Sequence, residues 1–292
     1  MAISLKSVRK AGGMKPPIGI LYGKPGIGKT TFAACTPSPI FLQTEDGLVN
    51  PALSWVPTFG VVSSYDDFMQ AIGVVGMNAS TEGWSTLVID SIDRLAPLIT
   101  DFVCQQNGWT KLEDGKFGQG KIAYVEEWRK FMTVLIELRN QCGVGVLMLA
   151  HHKAVRLTPP DAEPYTQYSL TLPEDVSRIL IGDSDFVFFA THPITTSSTN
   201  VGFKKTFTRG TIDKARVYTQ ERGSHLAKNR FDMPEFVPFE WDVIKKYVPR
   251  WADAAQPQAI AEYIAQQPAS PAGDEPAVEE VTETAGEMVA GE

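Results

Sequence analysis

Cysteine and long apolar runs are scarce in this sequence of 292 residues. The three cysteines, Cys35, Cys104 and Cys142, are scattered, odd in number and without metal-ligand spacing. They exclude a disulfide-based scaffold and indicate a reducing compartment. No apolar run approaches the roughly 20 residues that cross a bilayer, which excludes a membrane-spanning protein. The N-terminal residues are basic but have no apolar stretch after them, so we expect no secretory signal.

Basic residues are absent from residues 251–292, which contain nine acidic residues. Residues 1–250 hold all 27 Lys and Arg and are slightly positive, although the net charge of the whole chain is −7. The acidity therefore belongs to the C-terminal segment, and it does not exclude a nucleic-acid partner. Pro, Ala, Gly and Glu dominate residues 268–292, so we expect a disordered acidic tail there.

Short apolar runs alternate with amphipathic helical patterns along the first two thirds of the chain. The runs predict buried strands at 18–23, 39–44, 86–90, 144–149 and 186–190. Apolar residues at three- and four-residue steps predict helices over 65–77, 92–106 and 121–141. This alternation predicts an α/β fold with a doubly wound, mostly parallel sheet. Short β-rich runs within 201–237 predict an antiparallel extension of the sheet edge, and 240–247 and 257–266 predict short helices.

A phosphate-binding motif follows the first predicted strand. Residues 23–30 (GKPGIGKT) match G-x-x-x-x-G-K-[ST] at every position. Its glycines allow backbone N–H groups to surround phosphate oxygens, Lys29 supplies a cation for the β- and γ-phosphates, and the Thr30 hydroxyl is a Mg²⁺ ligand. The alternative is a Gly-Pro turn before a helix. The predicted nucleotide-binding residues are Gly23, Lys24, Pro25, Gly26, Ile27, Gly28, Lys29, Thr30 and Thr31.

Two carboxylates are predicted to complete this site. Asp90 ends an apolar strand at the sheet edge where ligands bind, so it is predicted to orient Mg²⁺ opposite Thr30, or else to cap a helix. The next residue is Ser91 rather than Glu, so another carboxylate must polarise the attacking water. Glu45, at the end of the strand 39–44, is the best candidate, and the alternative is that it only begins a turn.

The placement of Glu45, together with Asp90-Ser91-Ile92, resembles the RecA-like recombinase ATPases. The chain looks like their phage-encoded members, the group related to the Sak single-strand-annealing proteins, from about Pro17 to Pro238. The resemblance implies a sheet of the RecA-like P-loop NTPase type, with ATP and Mg²⁺ as cofactors. It also implies an ATPase domain over 17–250, which leaves an N-terminal lead at 1–16 and a closing helix at 251–267.

Four further catalytic residues follow from this resemblance. In the RecA-like family, the strand after the long helix ends in a polar residue that senses the γ-phosphate. This chain has His151 and His152 at that position. Lys228 and Arg230 match a basic pair that reaches the nucleotide of a neighbouring subunit. The alternatives are a partly exposed histidine pair at a strand end and a solvated basic edge strand.

The resemblance also places single-stranded DNA at two loops. Residues 107–121 contain Trp109, Lys111, Lys116, Phe117 and Lys121, and residues 153–173 contain Lys153, Arg156, Tyr165 and Tyr168. Bases and aromatic rings suit backbone tracking and base stacking, although two flexible surface loops are the alternative. Residues 204–230 add a basic tract that holds Lys204, Lys205, Arg209, Lys214, Arg216, Arg222, Lys228 and Arg230.

These patterns together predict a Mg²⁺-dependent ATPase of the RecA-like class that binds single-stranded DNA in phage recombination or annealing. We expect a homo-oligomer in the host cytoplasm, if the protein is phage-encoded, with a phage single-strand-binding or annealing protein as a possible partner. One alternative is a P-loop ATPase that acts on protein partners, such as a helicase loader or a clock-type protein. The other is a nucleotide-gated binding module with little turnover.

Overall fold

The apolar runs form the centre of one sheet in the computed structural model, which describes residues 14–200 and 206–266, with the backbone alone for 195–200 and 206–212. The described chain falls into two units. One comprises residues up to Thr191 and from Ala215 onward, and the other comprises 192–214. The strands are β1 (Ile18–Gly23), β2 (Pro39–Gln43), β3 (Thr58–Val61), β4 (Thr86–Asp90), β5 (Gly145–Leu157), β6 (Tyr165–Leu170), β7 (Phe186–Thr191), β8 (Ile194–Asn200), β9 (Thr206–Ile212), β10 (Arg216–Tyr218), β11 (Lys228–Asn229) and β12 (Phe236–Pro238).

The sheet of the larger unit has the strand order β12-β10-β7-β1-β5-β4-β2-β3. The six consecutive strands of this order from β7 to β3 run parallel to one another, and β1 lies between β5 and β7. Strands β10, β11 and β12 add antiparallel pairing beside β7. The predicted fold class, a doubly wound and mostly parallel sheet with an antiparallel extension, is therefore confirmed.

Helices cover both faces of the sheet. They are α1 (Lys29–Ala33), α2 (Tyr65–Glu82), α3 (Ile92–Asn107), α4 (Gln119–Glu137), α5 (Glu174–Asp183), α6 (Trp241–Ile244) and α7 (Gln258–Gln266), and a π-helical turn at Leu138–Cys142 continues α4. Successive residues of a strand point to opposite faces. Ile20 accordingly packs in the core layer of α2 to α5, and Leu21 packs in the layer of α1, α6 and α7.

Three elements differ from the prediction. The sequence pattern did not indicate β3, whose residues are mostly exposed because it is the last strand of the sheet. It also did not indicate α5, a helix of ten residues. The predicted loop 153–173 is largely a β-hairpin, because β5 continues beyond the sheet and pairs with β6 from His152↔Leu170 to Leu157↔Tyr165.

The second unit is an antiparallel hairpin of β8 and β9, paired from Ile194↔Ile212 to Asn200↔Thr206. The prediction that the β-rich runs of 201–237 extend the sheet edge is therefore wrong for β9, which forms a separate two-stranded sheet with β8. Lys204 and Lys205 of the predicted basic tract lie outside the described residues, as do most of the predicted N-terminal lead and the acidic tail. Within the part of the chain that the structure describes, no helix has the length and apolar character needed to cross a membrane.

Candidate active site

The P-loop connects β1 to α1 at the carboxyl edge of the sheet, and its glycines meet specific backbone requirements. Gly26 and Gly28 have φ angles of 77° and 99°, in the left-handed region that favours glycine. A Cβ on Gly23 would lie 2.2 Å from the carbonyl oxygen of Ala190 on β7. These constraints explain why the motif has glycine at these positions, and they hold the loop open for an anion.

Lys29, the first residue of α1, lies over the loop and is 7% exposed. Its Nζ donates to the carbonyl oxygens of Gly23 at 3.2 Å and Lys24 at 3.0 Å. Burial lowers the pKa of Lys29, whereas the nearby carboxylates, Asp90 first among them, raise that pKa. The ammonium is therefore held where a bound phosphate could replace the two carbonyls as its partner.

Thr30 and Asp90, the two predicted Mg²⁺ ligands, are in direct contact. Thr30 Oγ1 donates to Asp90 Oδ2 at 2.8 Å. Asp90 is buried at the end of β4, and burial raises the pKa of its carboxyl, while the bond from Thr30 lowers that pKa. A Cβ on Gly47 would lie 3.2 Å from the same Asp90 oxygen, so the chain after β2 closes over this pair.

The donor set here suits a cation that also binds phosphate and water. Among the described residues, no three His, Cys, Asp or Glu side chains are grouped so that they could hold a metal ion by themselves. Mg²⁺ is usually held by one or two protein oxygens and by substrate phosphates, with water in the remaining positions. The hydroxyl of Thr30 and the carboxylate of Asp90, beside a phosphate-binding loop, fit that requirement.

Thr44 fixes the segment that contains Glu45 against the end of β4. The Thr44 N–H donates to the Asp90 carbonyl at 2.9 Å, and Thr44 Oγ1 donates to the Ser91 carbonyl at 2.7 Å. Ser91 N–H donates back to Thr44 Oγ1 at 3.0 Å. Glu45 therefore comes directly after a residue, Thr44, whose backbone is hydrogen-bonded to Asp90, the predicted metal ligand. Glu45 Oε2 forms an ion pair with Arg94 Nε at 3.4 Å.

The two histidines at the end of the parallel part of β5 have different surroundings. His151 lies opposite Gly23 in the strand register, and its backbone N–H and Nδ1 both contact Asp93 Oδ2, at 2.6 and 3.0 Å. The ring of His152 lies 5.1 Å from that of Tyr168 and 6.1 Å from that of Phe189. Burial among these rings lowers the pKa of His152.

Three buried polar atoms at this edge have no hydrogen-bond partner within the described chain: Ser91 Oγ, Asp93 Oδ1 and His152 Nδ1. An unsatisfied buried polar group costs about 1–3 kcal/mol, so such groups are normally paired with protein, water or ligand. Their concentration beside the P-loop indicates an edge built for a polar ligand.

The structure does not bring Lys228 and Arg230 to this edge of their own chain. Strand β11 pairs with the first residues of β7, at the amino end of the sheet. Lys228 Nζ donates to the carbonyls of Ile181 at 2.6 Å and Gly182 at 2.8 Å, near the end of α5. Arg230 pairs with Asp185 at 3.1 Å. Both cations therefore have partners within their own chain, and their action on a neighbouring nucleotide stays a prediction.

These contacts give Lys228 a measurable role in stability. We expect Lys228→Ala to lower the free energy of unfolding by about 1–2 kcal/mol, because the carbonyls at the end of α5 lose a charged donor. Thermal unfolding of the isolated subunit, beside Lys246→Ala as an exposed control, measures this loss. Unfolding identical to that of the wild type would show that these two hydrogen bonds do not stabilise the subunit.

The first predicted DNA loop packs against the protein at its glycines, whereas most of its side chains are exposed. A Cβ on Gly120 would lie 1.9 Å from the Leu112 carbonyl, so the loop lies directly against the start of α4. Lys121 pairs with Asp175 at 2.6 Å. Phe117, in contrast, is fully exposed and has a φ angle of 54°, a conformation that is rare for a bulky residue.

The second predicted DNA segment, the β5–β6 hairpin, is mostly exposed beyond the sheet. Tyr165 and Tyr168 are 37% and 40% exposed, and Arg156 is also exposed. Lys153 Nζ donates to the Leu172 carbonyl at 2.7 Å. The hairpin is joined to the P-loop strand, because the Tyr22 hydroxyl on β1 donates to the Tyr168 carbonyl at 3.2 Å.

Sequence patterns did not indicate Thr44, Asp93 or Arg94 as site residues. Thr44 precedes Glu45, and the other two lie in the first turn of α3. The sequence does place two of them close to a predicted site residue, since Asp93 is three positions and Arg94 four positions after Asp90. Their partners are 47 to 58 residues away along the chain, so the pairing itself is visible only in the fold.

Comparison with known proteins identifies the family of this chain. A protein-family model described as AAA domain matches residues 15–231. The SPbeta prophage-derived uncharacterized protein YorG of Bacillus subtilis (strain 168) is 27% identical over 239 residues, which are 77% of this chain and 64% of YorG. The chain thus spans less than two thirds of that relative. A crystal structure of the RadB recombinase aligns with a TM-score of 0.40 and 13% identity over 75% of this chain and 93% of that one. The matched residues run from just before β1 to just beyond β11 and include the whole P-loop, so the chain belongs to the AAA domain family.

Proposed function

We propose that this protein is a Mg²⁺-dependent ATPase of the RecA-like class that binds single-stranded DNA in phage recombination or annealing. The contact between Thr30 Oγ1 and Asp90 Oδ2, directly beside Lys29 and the P-loop, carries the ATPase part of the proposal. A hydroxyl and a carboxylate at 2.8 Å form the half-site that Mg²⁺ needs when phosphates complete its coordination.

The residues at this edge of the sheet have separate roles in ATP hydrolysis. When Mg²⁺ is bound, it supplies charge neutralisation for the β- and γ-phosphates. Lys29 moves from the carbonyls of Gly23 and Lys24 to the phosphate oxygens, and the P-loop N–H groups hold the same anion. Glu45 polarises the attacking water, and its ion pair with Arg94 orients the carboxylate before substrate arrives.

The DNA part of the proposal is supported by exposed cations and aromatic rings. Phe117 is fully exposed in a strained backbone conformation, and strain of this kind, about 1–3 kcal/mol, is concentrated at functional sites. The hairpin of β5 and β6 presents Tyr165, Tyr168 and Arg156 to solvent, which suits stacking and phosphate contacts. The prophage origin of the relative YorG supports the phage context.

Three further features belong to the same proposal. Assembly into a homo-oligomer would allow Lys228 and Arg230 to act on a neighbouring nucleotide, although both would first have to leave their present partners. The acidic segment 268–292 would compete with DNA for basic residues. The specific kinship with the Sak-related phage group rests on the sequence resemblance.

A second candidate function, action on protein partners, is favoured by the edge of the sheet. Among the described strands, β3 pairs with β2 alone, and Phe59 and Val61 on it are 39% and 53% exposed. Trp55, close before it in sequence, is 42% exposed. Apolar residues on an open edge strand are typical of a surface that another chain covers.

The ATPase rate with and without single-stranded DNA distinguishes these functions. We expect steady turnover that requires Mg²⁺ and rises at least several-fold with a DNA oligonucleotide at low salt. Turnover that DNA leaves unchanged would contradict the DNA role and favour the protein partner. If the protein binds ATP but shows no turnover under either condition, it acts as a nucleotide-gated module instead.

A single aromatic substitution tests the proposed DNA contact. We expect Phe117→Ala to weaken binding to single-stranded DNA by about 5- to 150-fold, which corresponds to about 1–3 kcal/mol for one stacked base. ATP affinity should be unchanged. Fluorescence anisotropy with a labelled oligonucleotide measures the effect, and Met77→Ala removes a similarly exposed apolar side chain from α2 as a control. Equal DNA affinity of the two variants would remove Phe117 from the DNA site.

A further inference from the structure

Asp93 holds both the backbone and the side chain of His151. Its Oδ2 accepts the His151 backbone N–H at 2.6 Å and faces His151 Nδ1 at 3.0 Å. Asp93 lies in the first turn of α3, and its side chain is only 10% exposed. Two contacts from one buried carboxylate fix the end of the parallel part of β5 and the orientation of the imidazole together.

This pairing determines where the imidazole carries its proton. An ionised carboxylate only accepts hydrogen bonds, so Nδ1 of His151 must be the protonated nitrogen that faces Asp93. Nε2, on the other side of the ring, is then directed away from Asp93. His151 lies opposite Gly23 in the strand register, so its backbone is beside the first residue of the P-loop.

His152 is placed differently. Its ring packs edge-on to Tyr168 and is tilted against Phe189, and the hairpin strand β6 carries the first of these neighbours. The side chain is thus part of an aromatic cluster at the hairpin, and it also interacts with the backbone of Gly23. Of the two adjacent histidines, only His151 has a carboxylate partner among the described contacts.

We infer that Asp93 is a positioning residue that presents Nε2 of His151 to the γ-phosphate. The inference rests on the proposed ATPase function and assigns the phosphate-sensing role to His151 rather than to His152. The charge of Asp93 also affects the P-loop lysine, because it is among the charges that raise the pKa of Lys29. Its second oxygen, Oδ1, is buried without a partner in the described chain and is available to a water or to the bound nucleotide.

A double-mutant cycle in the full chain tests this dependence. We expect Asp93→Ala to lower kcat about 10- to 100-fold and to change the KM for ATP by less than about 3-fold, because a γ-phosphate contact matters most in the transition state. His151→Gln should lower kcat similarly. Adding Asp93→Ala to His151→Gln should then have little further effect, because Asp93 acts through the histidine.

The exposed Asp101 on the same helix provides the matched control, Asp101→Asn, which should keep wild-type kinetics. If Asp93→Ala lowers kcat equally in the wild-type and His151→Gln backgrounds, Asp93 does not act through His151 and the inference is wrong. Asp93→Asn keeps an acceptor for the backbone N–H and replaces Asp93→Ala in the cycle if the alanine variant does not fold.

Imidazole ¹⁵N NMR tests the same inference without any turnover. The chain has four histidines, so His151→Gln identifies the ring signals of His151. We expect protonated Nδ1 in the free protein, loss of that preference in the Asp93 variant, and a change at Nε2 when Mg²⁺ and the analogue AMPPNP are added.

A His151 ring that is unchanged by bound AMPPNP, or an Nδ1 signal that is insensitive to Asp93, would overturn the inference. Absence of ATP hydrolysis in a protein that still shows these NMR changes would instead contradict the proposed ATPase function alone.

Discussion

Lys29→Ala should weaken ATP binding by at least about 100-fold. The P-loop would then have to hold a triphosphate without the ammonium that lies over it, and hydrogen bonds to charged groups contribute about 1.5–3 kcal/mol each. The substitution should lower the free energy of unfolding of the free protein by no more than about 1–2 kcal/mol, because the two hydrogen bonds of Lys29 to carbonyls are offset by the cost of burying its charge. Titration with a fluorescent ATP analogue and thermal unfolding measure the two effects.

Lys246→Ala, which removes an exposed cation far from the motif in sequence, is the control for net charge. ATP affinity of Lys29→Ala equal to that of this control would refute the assignment of the phosphate site. Loss of ATP binding together with a large loss of stability would show that the hydrogen bonds of Lys29 to Gly23 and Lys24 serve the fold rather than the ligand.

Glu45→Gln should lower kcat by about 100- to 10,000-fold, the range attributed to a positioned general base. ATP affinity should change only a few-fold, because glutamine keeps the shape of the side chain and Thr44 still fixes the backbone beside Asp90. The neutral amide cannot take a proton from water. Single-turnover hydrolysis together with equilibrium ATP binding separates the two quantities.

The matched control is Glu82→Gln, which changes an exposed glutamate at the end of α2. Turnover by Glu45→Gln within about 3-fold of this control would contradict the role of Glu45. Asp93 and its partner His151 would then be the next candidates to act on the attacking water.

The phosphate-binding half of the site could be predicted from the sequence because the residues that form it are consecutive in the chain. One segment of eight residues supplies the loop, the cation and the hydroxyl, and the glycines that the motif requires are those whose backbone angles or packing exclude a Cβ. Asp90 could be predicted because the end of a buried parallel strand always lies at the ligand-binding edge. The strand order β1-β5-β4 then places Asp90 within hydrogen-bond distance of Thr30.

The remaining contacts depend on pairings that sequence patterns do not encode. Nothing local to His151 indicates that a carboxylate 58 residues earlier binds it, and only the packing of α3 beside β5 makes that contact. The alternation of Lys228 and Arg230 suggested a shared strand face but gave no sign of the carbonyls at the end of α5. The hairpin of β5 and β6 was missed for a related reason, because its register is set across the turn by strand pairing.

The central claim is that the carboxyl edge of this sheet hydrolyses ATP with Mg²⁺. Phosphate release by the purified wild-type protein, at saturating ATP with Mg²⁺ and again with excess EDTA, tests that claim most directly. We predict steady release with Mg²⁺, loss of release with EDTA, and release by Glu45→Gln at least about 100-fold slower than by the wild type. Wild-type protein that binds ATP and Mg²⁺ but releases no phosphate above the rate of Glu45→Gln would contradict it.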